Sequence, residues 1–399
     1  MLNIYKASAG SGKTYTLAKE YIRLLLSSAT SHKTPYAEIL AVTFTKKATA
    51  EMKARILKEL NQLATAPQQS AYYEEFKHDF SFTDTELQQH AKQYLFAILQ
   101  DYTRFQVSTI DGFFQQVVRL FARELGLPAT YNVSLQEKEI VEQAVDDLLF
   151  SVHQNSTTDN PSFSWLSTMA QENIANQKAW NPKQQLTDIA GELLTERLQT
   201  KLPELRKVLA SPAVLSDYKQ QMQELVNRWN ELHAQIGRKR NLDDDQIQCR
   251  KDGLTAMVIL KRLNELGLLV EIKQQIERTN QELNRLPISD TNLLLHRVID
   301  GAESPFIYEK IGNRLRHFMM DEFQDTSHLQ WDNFFPLLQE SEANGDDNLI
   351  VGDIKQSIYR FRNSDWHLLE QINTYFHHCN LPKMDTNFRS SAIVVEANN

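Results

Sequence analysis

Cysteine, glycine and proline are scarce in this 399-residue chain, and long apolar runs are absent. Its two cysteines, Cys249 and Cys379, lie far apart and match no metal-ligand spacing, which excludes a disulfide framework and a cysteine-based metal centre. Only 12 glycines and 11 prolines are present, so we expect a helix-rich protein with few long irregular loops. No run of about 18 apolar residues and no charged-then-apolar leader occurs, which predicts a cytoplasmic protein with no membrane span.

The chain also lacks the basic excess that is typical of proteins coated by nucleic acid. It has 43 Lys and Arg against 51 Asp and Glu, a formal net charge of -8. Nucleic acid remains a possible ligand, because the sign of one local groove matters more than the sum over the chain. The length predicts two or three domains, and an apolar content of 41% is sufficient for their cores.

A candidate phosphate-binding loop near the start organises the rest of the sequence. A short strand pattern runs into a glycine-interrupted loop that ends in Gly-Lys-Thr. Gly10 and Gly12 let successive backbone N–H groups curl around a phosphate. Lys13 then supplies a charge for the β- and γ-phosphates, and Thr14 offers a hydroxyl to Mg²⁺. The alternative is a glycine-rich turn that caps an ordinary helix. The loop predicts binding of a nucleoside triphosphate by Ala7, Ser8, Ala9, Gly10, Ser11, Gly12, Lys13 and Thr14, with Ala7 where the general pattern has glycine.

Strand and helix patterns alternate on both sides of a long helical stretch. Apolar runs at 39–45, 105–110, 315–320 and 349–353 predict buried strands, with helical stripes between them. Between about 130 and 295 the chain has helical patterns rich in Gln, Asn, Glu and Lys and no clear strand. We therefore predict an α/β fold of the P-loop NTPase class, a parallel sheet with helices on both faces, interrupted by an inserted all-helical domain. The predicted domain boundaries are 1–125, 126–290 and 291–399.

Two adjacent acids follow the predicted strand at 315–320. A phosphate loop requires an acid at the end of a neighbouring apolar strand to hold Mg²⁺ through water, and Asp321 is placed for that role. Glu322 is positioned to orient or deprotonate the attacking water. The structural alternative is an acidic cap for the next helix, to which Asp325 and Thr326 would contribute.

The string DEFQDT at 321–326 resembles the second motif of superfamily 1 DNA helicases of the UvrD/Rep type. Further blocks at 41–51, 108–114, 351–362 and 385–391 are similar to other motifs of that family, in the same order. The match is closest to the RecB/AddA branch, the motor subunits of bacterial helicase–nuclease complexes that process double-strand breaks. The resemblance covers roughly 1–125 and 290–399 and implies a RecA-like motor domain 1A. The helical middle is assigned to the family's inserted domain 1B by position only.

This resemblance implies roles for individual residues, with ATP and Mg²⁺ as cofactors. Gln356 would sense the γ-phosphate, Arg389 would contact it, and Phe388 would stack on the adenine. The implied catalytic set is Lys13, Asp321, Glu322, Gln356 and Arg389, and the implied Mg²⁺ residues are Thr14 and Asp321. The implied DNA-binding residues are Thr43, Phe44, Thr45, Lys46, Thr109, Tyr359, Phe361 and Arg362. The alternative for the aromatic residues is plain core packing.

The resemblance implies the ATP-binding half of a 3′-to-5′ ATP-dependent DNA helicase in double-strand-break repair. Its partners would be single-stranded or duplex-end DNA and a companion helicase–nuclease subunit. One alternative is a non-motor P-loop partner that serves as a DNA-binding or assembly scaffold, and another is an RNA-directed superfamily 1 helicase. The sequence stops just after the fourth motif, so we expect a piece that lacks the second motor domain and its arginine, and is nearly inactive alone. The upstream glutamine that recognises adenine in many UvrD-type helicases is also absent, which leaves base selectivity open.

Overall fold

The computed structural model describes most of the chain and divides it into two compact units. The described residues are 1–27, 34–128, 130–134, 136–154, 161–177, 179–209, 212–237, 242–299, 311, 314–360, 363–376, 379–382, 384, 386–391 and 393. The first unit comprises Met1–Ala129 and Thr291–Asn399, and the second comprises Thr130–Asp290. Their interpretation as motor domain 1A and inserted domain 1B stays a prediction.

The strands and α-helices of the described residues are as follows, in chain order. The strands are β1 Leu2–Lys6, β2 Ile39–Thr43, β3 Val107–Thr109, β4 Asn132–Ser134, β5 Arg285–Pro287, β6 His317–Met320, β7 Asn348–Gly352 and β8 Cys379–Asn380. The helices are α1 Lys13–Ser27, α2 Lys46–Thr65, α3 Tyr73–Phe80, α4 Asp84–Gln100, α5 Ile110–Leu120, α6 Glu137–Gln154, α7 Pro161–Ala175, α8 Lys183–Ala190, α9 Glu196–Gln199, α10 Leu202–Leu209, α11 Pro212–Ile236, α12 Asp244–Glu282, α13 Ile288–Ile299, α14 His328–Ala343 and α15 His367–Gln371.

A six-stranded parallel sheet forms the centre of the first unit. Its strand order is β3-β2-β6-β7-β1-β8, and every neighbouring pair is parallel. All five residues of β2 and all five of β7 are buried. Such near-continuous apolar runs are typical of parallel strands covered on both faces. The strands were predicted from these runs.

Helices cover both faces of this sheet. Ile39 and Ala41 of β2 belong to one core cluster with Tyr21 of α1 and Ile56 of α2. The alternate residue Leu40 points to the opposite face, because side chains alternate along a strand, and it is also buried. The buried aromatic residues of α5 and α14 include Phe113, Phe114 and Phe334, and the rings of the last two are 4.7 Å apart. The predicted fold class, a P-loop α/β sheet with helices on both faces, is confirmed.

The parallel sheet brings distant sequence motifs to one edge. The carboxyl ends of parallel strands meet at the same edge, where ligands of open α/β sheets bind. The candidate phosphate loop follows β1, the DEFQDT string follows β6, and Asp353 follows β7. Because β7 lies between β6 and β1, these three segments are neighbours at that edge.

The second unit is built from helices, as predicted, with one short addition. Buried apolar residues of α6, such as Val141 and Val145, pack with Leu268 and Ile272 of α12 in a separate core cluster. The addition is a parallel pair between β4 and β5, of three residues each. Strands of this length are too short to show a recognisable alternation, so the sequence did not predict them.

Within the described part of the chain, no helix combines the length and apolar character needed to cross a bilayer.

Candidate nucleotide-binding site

The loop between β1 and α1 has the backbone geometry of a phosphate cradle. Gly10 and Gly12 have φ angles of 80° and 89°, a left-handed region that glycine adopts without strain. The N–H of Ala7 donates to Gly352 O at 2.8 Å, which ties the start of the loop to β7. Ser11 closes a turn inside the loop, because its N–H and its Oγ both donate to Ser8 O, at 3.1 and 2.8 Å. Helix α1 then begins at Lys13, so its N-terminus lies at the loop.

Lys13 is the centre of a polar cluster at this edge of the sheet. Its Nζ donates to Glu322 Oε2 at 2.8 Å and to Gln356 Oε1 at 3.2 Å, and its side chain is only 11% exposed. The structure therefore brings together three of the predicted catalytic residues, from the segments that follow β1, β6 and β7. A lysine held between two acceptor groups is positioned to exchange them for phosphate oxygens.

Gln324 connects the same cluster to β7. Its Nε2 donates to Glu322 Oε2 at 2.7 Å, while its Oε1 accepts from Asp353 N at 2.8 Å. The side chain is buried, with 1% exposure. Gln324 was not predicted as a site residue. Its position within the DEFQDT string at 321–326 was the sequence signal that could have identified it.

Asp321 is a buried carboxyl group directly behind Glu322. It is 5% exposed, and its Oδ1 accepts from Glu322 N at 2.9 Å. Burial first, and the Glu322 carboxylate second, raise the pKa of Asp321 to about 7, while Lys13 opposes that shift. A cation held at this carboxyl group would favour its charged form, so Asp321 fits the predicted Mg²⁺ role.

The residues predicted to hold Mg²⁺, Thr14 and Asp321, also fit the way in which this ion is usually coordinated. Among the described residues, no group of three His, Cys, Asp or Glu side chains could hold a metal ion. Mg²⁺ does not require such a cage, because it keeps several waters and binds through one or two carboxylates together with substrate phosphates. Thr14, which lines the cavity described next, and Asp321 thus stay the predicted Mg²⁺ residues.

A cavity of about 790 Å³ opens over the phosphate loop. This volume lies within the range of roughly 300–1,000 Å³ that is usual for small-molecule sites. Its described lining residues are Gly10, Gly12, Lys13, Thr14, Tyr15, Arg55, Glu75, Glu322, Gln356, Phe388 and Arg389. Of the remaining predicted loop residues, Ala7 and Ser11 are buried and support the loop, and Ser8 and Ala9 are exposed within it.

Three residues of the cavity wall were not predicted. Tyr15 packs edge-on against Tyr72, with ring centroids 4.6 Å apart, and its hydroxyl donates to Ala71 O. Glu75 pairs with Lys19 at 2.7 Å. Arg55 lies on α2 and Glu75 on α3, and neither belongs to the buried residues of its helix. Such positions carry only a weak sequence signal for function.

Comparison with known proteins identifies the family of this site. The model of the UvrD/REP helicase N-terminal domain matches residues 3–377. The chain belongs to this family.

Two bacterial proteins are among the relatives that this chain resembles. The chain is 23% identical over 480 residues to an ATP-dependent helicase/nuclease subunit of Streptococcus mutans serotype c, covering 99% of this chain and 37% of that protein. It is 24% identical over 456 residues to the RecBCD enzyme subunit RecB of Escherichia coli K12, with the same two coverages. The chain thus spans little more than a third of the length of either relative. The predicted resemblance to the UvrD/Rep family and its RecB/AddA branch is confirmed.

The described residues among those predicted to bind DNA lie at the same edge of the sheet. Phe44, after β2, and Tyr359, in the segment after β7, form a ring pair with centroids 4.5 Å apart and planes inclined by 37°. Both side chains are half-buried. They contact each other across β6, the strand that separates β2 from β7. Phe361 and Arg362 lie outside the described residues.

The predicted phosphate contacts of this domain have different degrees of exposure. Thr45 Oγ1 accepts from Ala48 N and caps α2, whose first residue, Lys46, is exposed. Thr109 caps α5 in the same way, by accepting from Gly112 N at 3.1 Å. Both caps therefore lie at helix N-termini, which favour anions.

Thr43 has a position that differs from the prediction. Its side chain is fully buried, and its hydroxyl is bonded to Thr45 O at 3.1 Å and to Thr49 Oγ1 at 2.6 Å. A direct contact between this side chain and a DNA phosphate does not fit this burial. Thr43 instead supports, from inside, the loop that carries Phe44 and Thr45.

Proposed function

We propose that this chain is the ATP-binding part of an ATP-dependent DNA helicase that acts in double-strand-break repair. The observation that carries the proposal is the position of Lys13, held between Glu322 and Gln356 at the mouth of a glycine-lined phosphate loop. Membership of the UvrD/REP family and the names of its helicase/nuclease relatives support the same activity.

The proposed chemistry begins when triphosphate oxygens replace the partners of Lys13. Loop N–H groups and the N-terminus of α1 bind the phosphates, and Lys13 exchanges Glu322 for the β- and γ-phosphates. Glu322 is then available to orient or deprotonate the attacking water. Thr14 and Asp321 would hold Mg²⁺, which would neutralise charge that develops on the phosphates. Gln356 would sense the γ-phosphate and Arg389 would contact it, while Phe388 would stack on the base.

The proposed partners are DNA and a companion subunit. Single-stranded or duplex-end DNA would bind at the ring pair Phe44–Tyr359 and at the caps Thr45 and Thr109. The rings would stack on base faces without sequence preference, and the helix N-termini would bind phosphates. A role as the helicase subunit of a helicase–nuclease is proposed from the names of the relatives. The 3′-to-5′ direction stays a prediction from the family resemblance. The cytoplasmic location stays a prediction from the sequence.

The 399-residue chain alone should hydrolyse ATP slowly. It spans 37% of the length of the relatives, and phosphoryl transfer in P-loop enzymes commonly uses an arginine supplied by another domain or subunit, worth roughly 10³–10⁵ in rate. Such an arginine would add to Arg55 and Arg389, the arginines among the described residues that line the cavity.

The decisive experiment compares phosphate release with no nucleic acid, with single-stranded DNA and with single-stranded RNA of equal length. It is run on the longest natural form of the protein, with Lys13→Ala as the inactive control. We expect stimulation by DNA that disappears in Lys13→Ala. Stimulation by RNA alone would support the RNA-directed alternative. Nucleic-acid binding with no Lys13-dependent turnover would instead support a non-motor scaffold.

A further inference from the structure

The segment 386–391 is docked on the phosphate loop by its backbone and by one side chain. Phe388 N donates to Gly10 O at 2.9 Å, and Asn387 Nδ2 donates to Ala9 O at 2.9 Å. The same asparagine accepts through Oδ1 from Arg389 N and from Ser390 N, both at 2.9 Å. Asn387 therefore bonds on one side to the loop and on the other to the backbone that carries Arg389.

This arrangement follows from the chemistry of the loop. A phosphate cradle directs backbone N–H groups towards the ligand, so the carbonyl groups of Ala9 and Gly10 are left to find donors elsewhere. An asparagine side chain combines an NH₂ donor with a carbonyl acceptor, so it can serve the loop carbonyl and the turn N–H groups at once. Aspartate, of the same shape, has no donor for Ala9 O.

Gly10 is the part of the loop against which the segment lies. A Cβ at that position would stand 2.6 Å from Asn387 Oδ1 and 2.9 Å from Arg389 Cβ. Gly10 thus serves two purposes, since it adopts a φ of 80° for the cradle and leaves room for Asn387.

Phe388 shows why such docking matters. Its side chain lines the nucleotide cavity yet is 78% exposed, so little core packing fixes the position of the ring. The hydrogen bonds of its own backbone and of Asn387 are the described contacts that hold this residue at the cavity. Arg389 also lines the cavity, and its N–H donates to Asn387 Oδ1.

We propose that Asn387 is a positioning residue for nucleotide, which fixes Phe388 on the base side and Arg389 on the phosphate side of the cavity. The proposal rests on the proposed function, because both neighbours act on a bound nucleoside triphosphate. Asn387 itself does not line the described cavity, so its effect on binding passes through these two residues.

The test measures binding of Mg²⁺–AMP-PNP to the 399-residue chain by calorimetry. We expect Asn387→Ala to weaken binding about tenfold, the loss expected from removing a small set of hydrogen bonds. In a Phe388→Ala/Arg389→Ala background the same substitution should change affinity less than twofold, because the residues it positions are gone. Asn380→Ala is the matched control, since it removes an asparagine whose Nδ2 donates to Asn3 Oδ1 in the β8–β1 pairing.

Two outcomes would overturn the proposal. One is unchanged affinity in Asn387→Ala. The other is an equal loss of affinity when Asn387→Ala is made in the Phe388→Ala/Arg389→Ala background. That result would mean that Asn387 acts by itself or through the loop alone. Asn387→Asp provides a second variant, which keeps the acceptor for Arg389 N and Ser390 N but places a carboxylate oxygen where the donor to Ala9 O was. It should therefore also weaken binding. Failure of the proposed function would look different, because the unsubstituted chain and Lys13→Ala would then bind the analogue equally or not at all.

Discussion

Glu322 has a left-handed backbone conformation, and one of its carboxylate oxygens accepts two hydrogen bonds. Its φ of 51° and ψ of 43° are left-handed, a conformation that costs a non-glycine residue on the order of 1–3 kcal/mol. Its Oε2 accepts from both Lys13 and Gln324, at 2.8 and 2.7 Å. Strain of this kind persists where the surroundings determine the conformation, and it clusters at functional sites. The geometry of Glu322 therefore agrees with a role in chemistry better than with the helix-cap alternative.

Glu322→Gln should leave binding of Mg²⁺–nucleotide within a few-fold of normal and slow hydrolysis by a factor of roughly 10² or more. Both hydrogen bonds of Glu322 end on one oxygen, which glutamine also has, so only the basic carboxylate is lost. Calorimetry and single-turnover phosphate release measure the two effects. Glu38→Gln, at the amino-terminal end of β2, is the control. Loss of nucleotide binding in Glu322→Gln would show that Glu322 serves the metal or the fold instead.

Asp321→Asn should stabilise the protein at pH 8 in the absence of Mg²⁺ and nucleotide. The pKa of Asp321 is raised to about 7 in the folded state, against 3.8 as the ordinary value. Stability from this group is therefore fully present below about pH 4 and is lost as pH rises to about 7. Asparagine resembles the neutral form and keeps the acceptor for Glu322 N.

The gain in unfolding free energy on Asp321→Asn should thus grow between pH 4 and pH 7, by at most about 1.4 kcal/mol per pH unit, and then level off. Urea unfolding at pH 5 and pH 8, with a chelator, measures it. Added Mg²⁺–nucleotide should stabilise the unsubstituted protein more than the variant. A gain that is the same at both pH values would contradict burial of the charge as its cause.

At the scale of elements, the site depends on loops that follow parallel strands. The segments after β1, β6 and β7 supply the nucleotide cluster, and those after β2, β3 and β7 supply the candidate DNA contacts. β7 thus serves both, since Gln356 and Tyr359 lie three residues apart in the segment that follows it. A shift of this segment on nucleotide binding would reach the ring pair Phe44–Tyr359 directly.

Tyr359→Ala should weaken binding of oligo(dT) by roughly 1–3 kcal/mol, the usual worth of one base–aromatic stack. Tyr359→Phe should bind almost normally, because the ring is kept. Affinity should also fall steeply with salt in every case, since phosphate contacts contribute. Fluorescence anisotropy at several salt concentrations measures these effects.

Tyr102→Ala supplies the control for Tyr359, because Tyr102 is an exposed aromatic residue that precedes β3 at the opposite edge of the sheet. Equal losses in the two alanine variants, or no loss in Tyr359→Ala, would favour plain packing of the ring pair.

At the scale of the whole molecule, the two units have separate cores. The described residues of the candidate site all belong to the first unit, Met1–Ala129 with Thr291–Asn399. The core of the second unit is formed by its own helices, chiefly α6 and α12. We therefore expect a ligand bound at the phosphate loop to contact described residues of the first unit.

Mg²⁺–AMP-PNP should slow amide hydrogen exchange in the first unit, at 7–16, 321–326, 353–359 and 386–390. Exchange in the core of the second unit should stay the same, because no described ligand contact lies there. Mass spectrometry of peptides with and without the analogue measures this pattern, and Lys13→Ala is the control that should lose it. Equal protection in α6 and α12 would show that nucleotide also orders the second unit.

Much of the fold was predictable, because its signals are local. The apolar runs placed β2, β6 and β7 within two residues of their observed limits, and the helix after the loop was predicted correctly. Less was predictable where the signal was weak. The two residues of β8, for example, lack a strand pattern.

The sequence by itself determined the phosphate loop, the strand that precedes it and the two acids, since glycine spacing and short apolar runs act over a few residues. Only the tertiary structure decided which of these segments are neighbours. The sheet order places Glu322 and Gln356 at Lys13, from 309 and 343 residues away in the chain. It also brings Arg55 and Glu75 to the cavity and Asn387 to the phosphate loop. No local pattern encodes such contacts, because they arise from packing of the whole sheet with its helices.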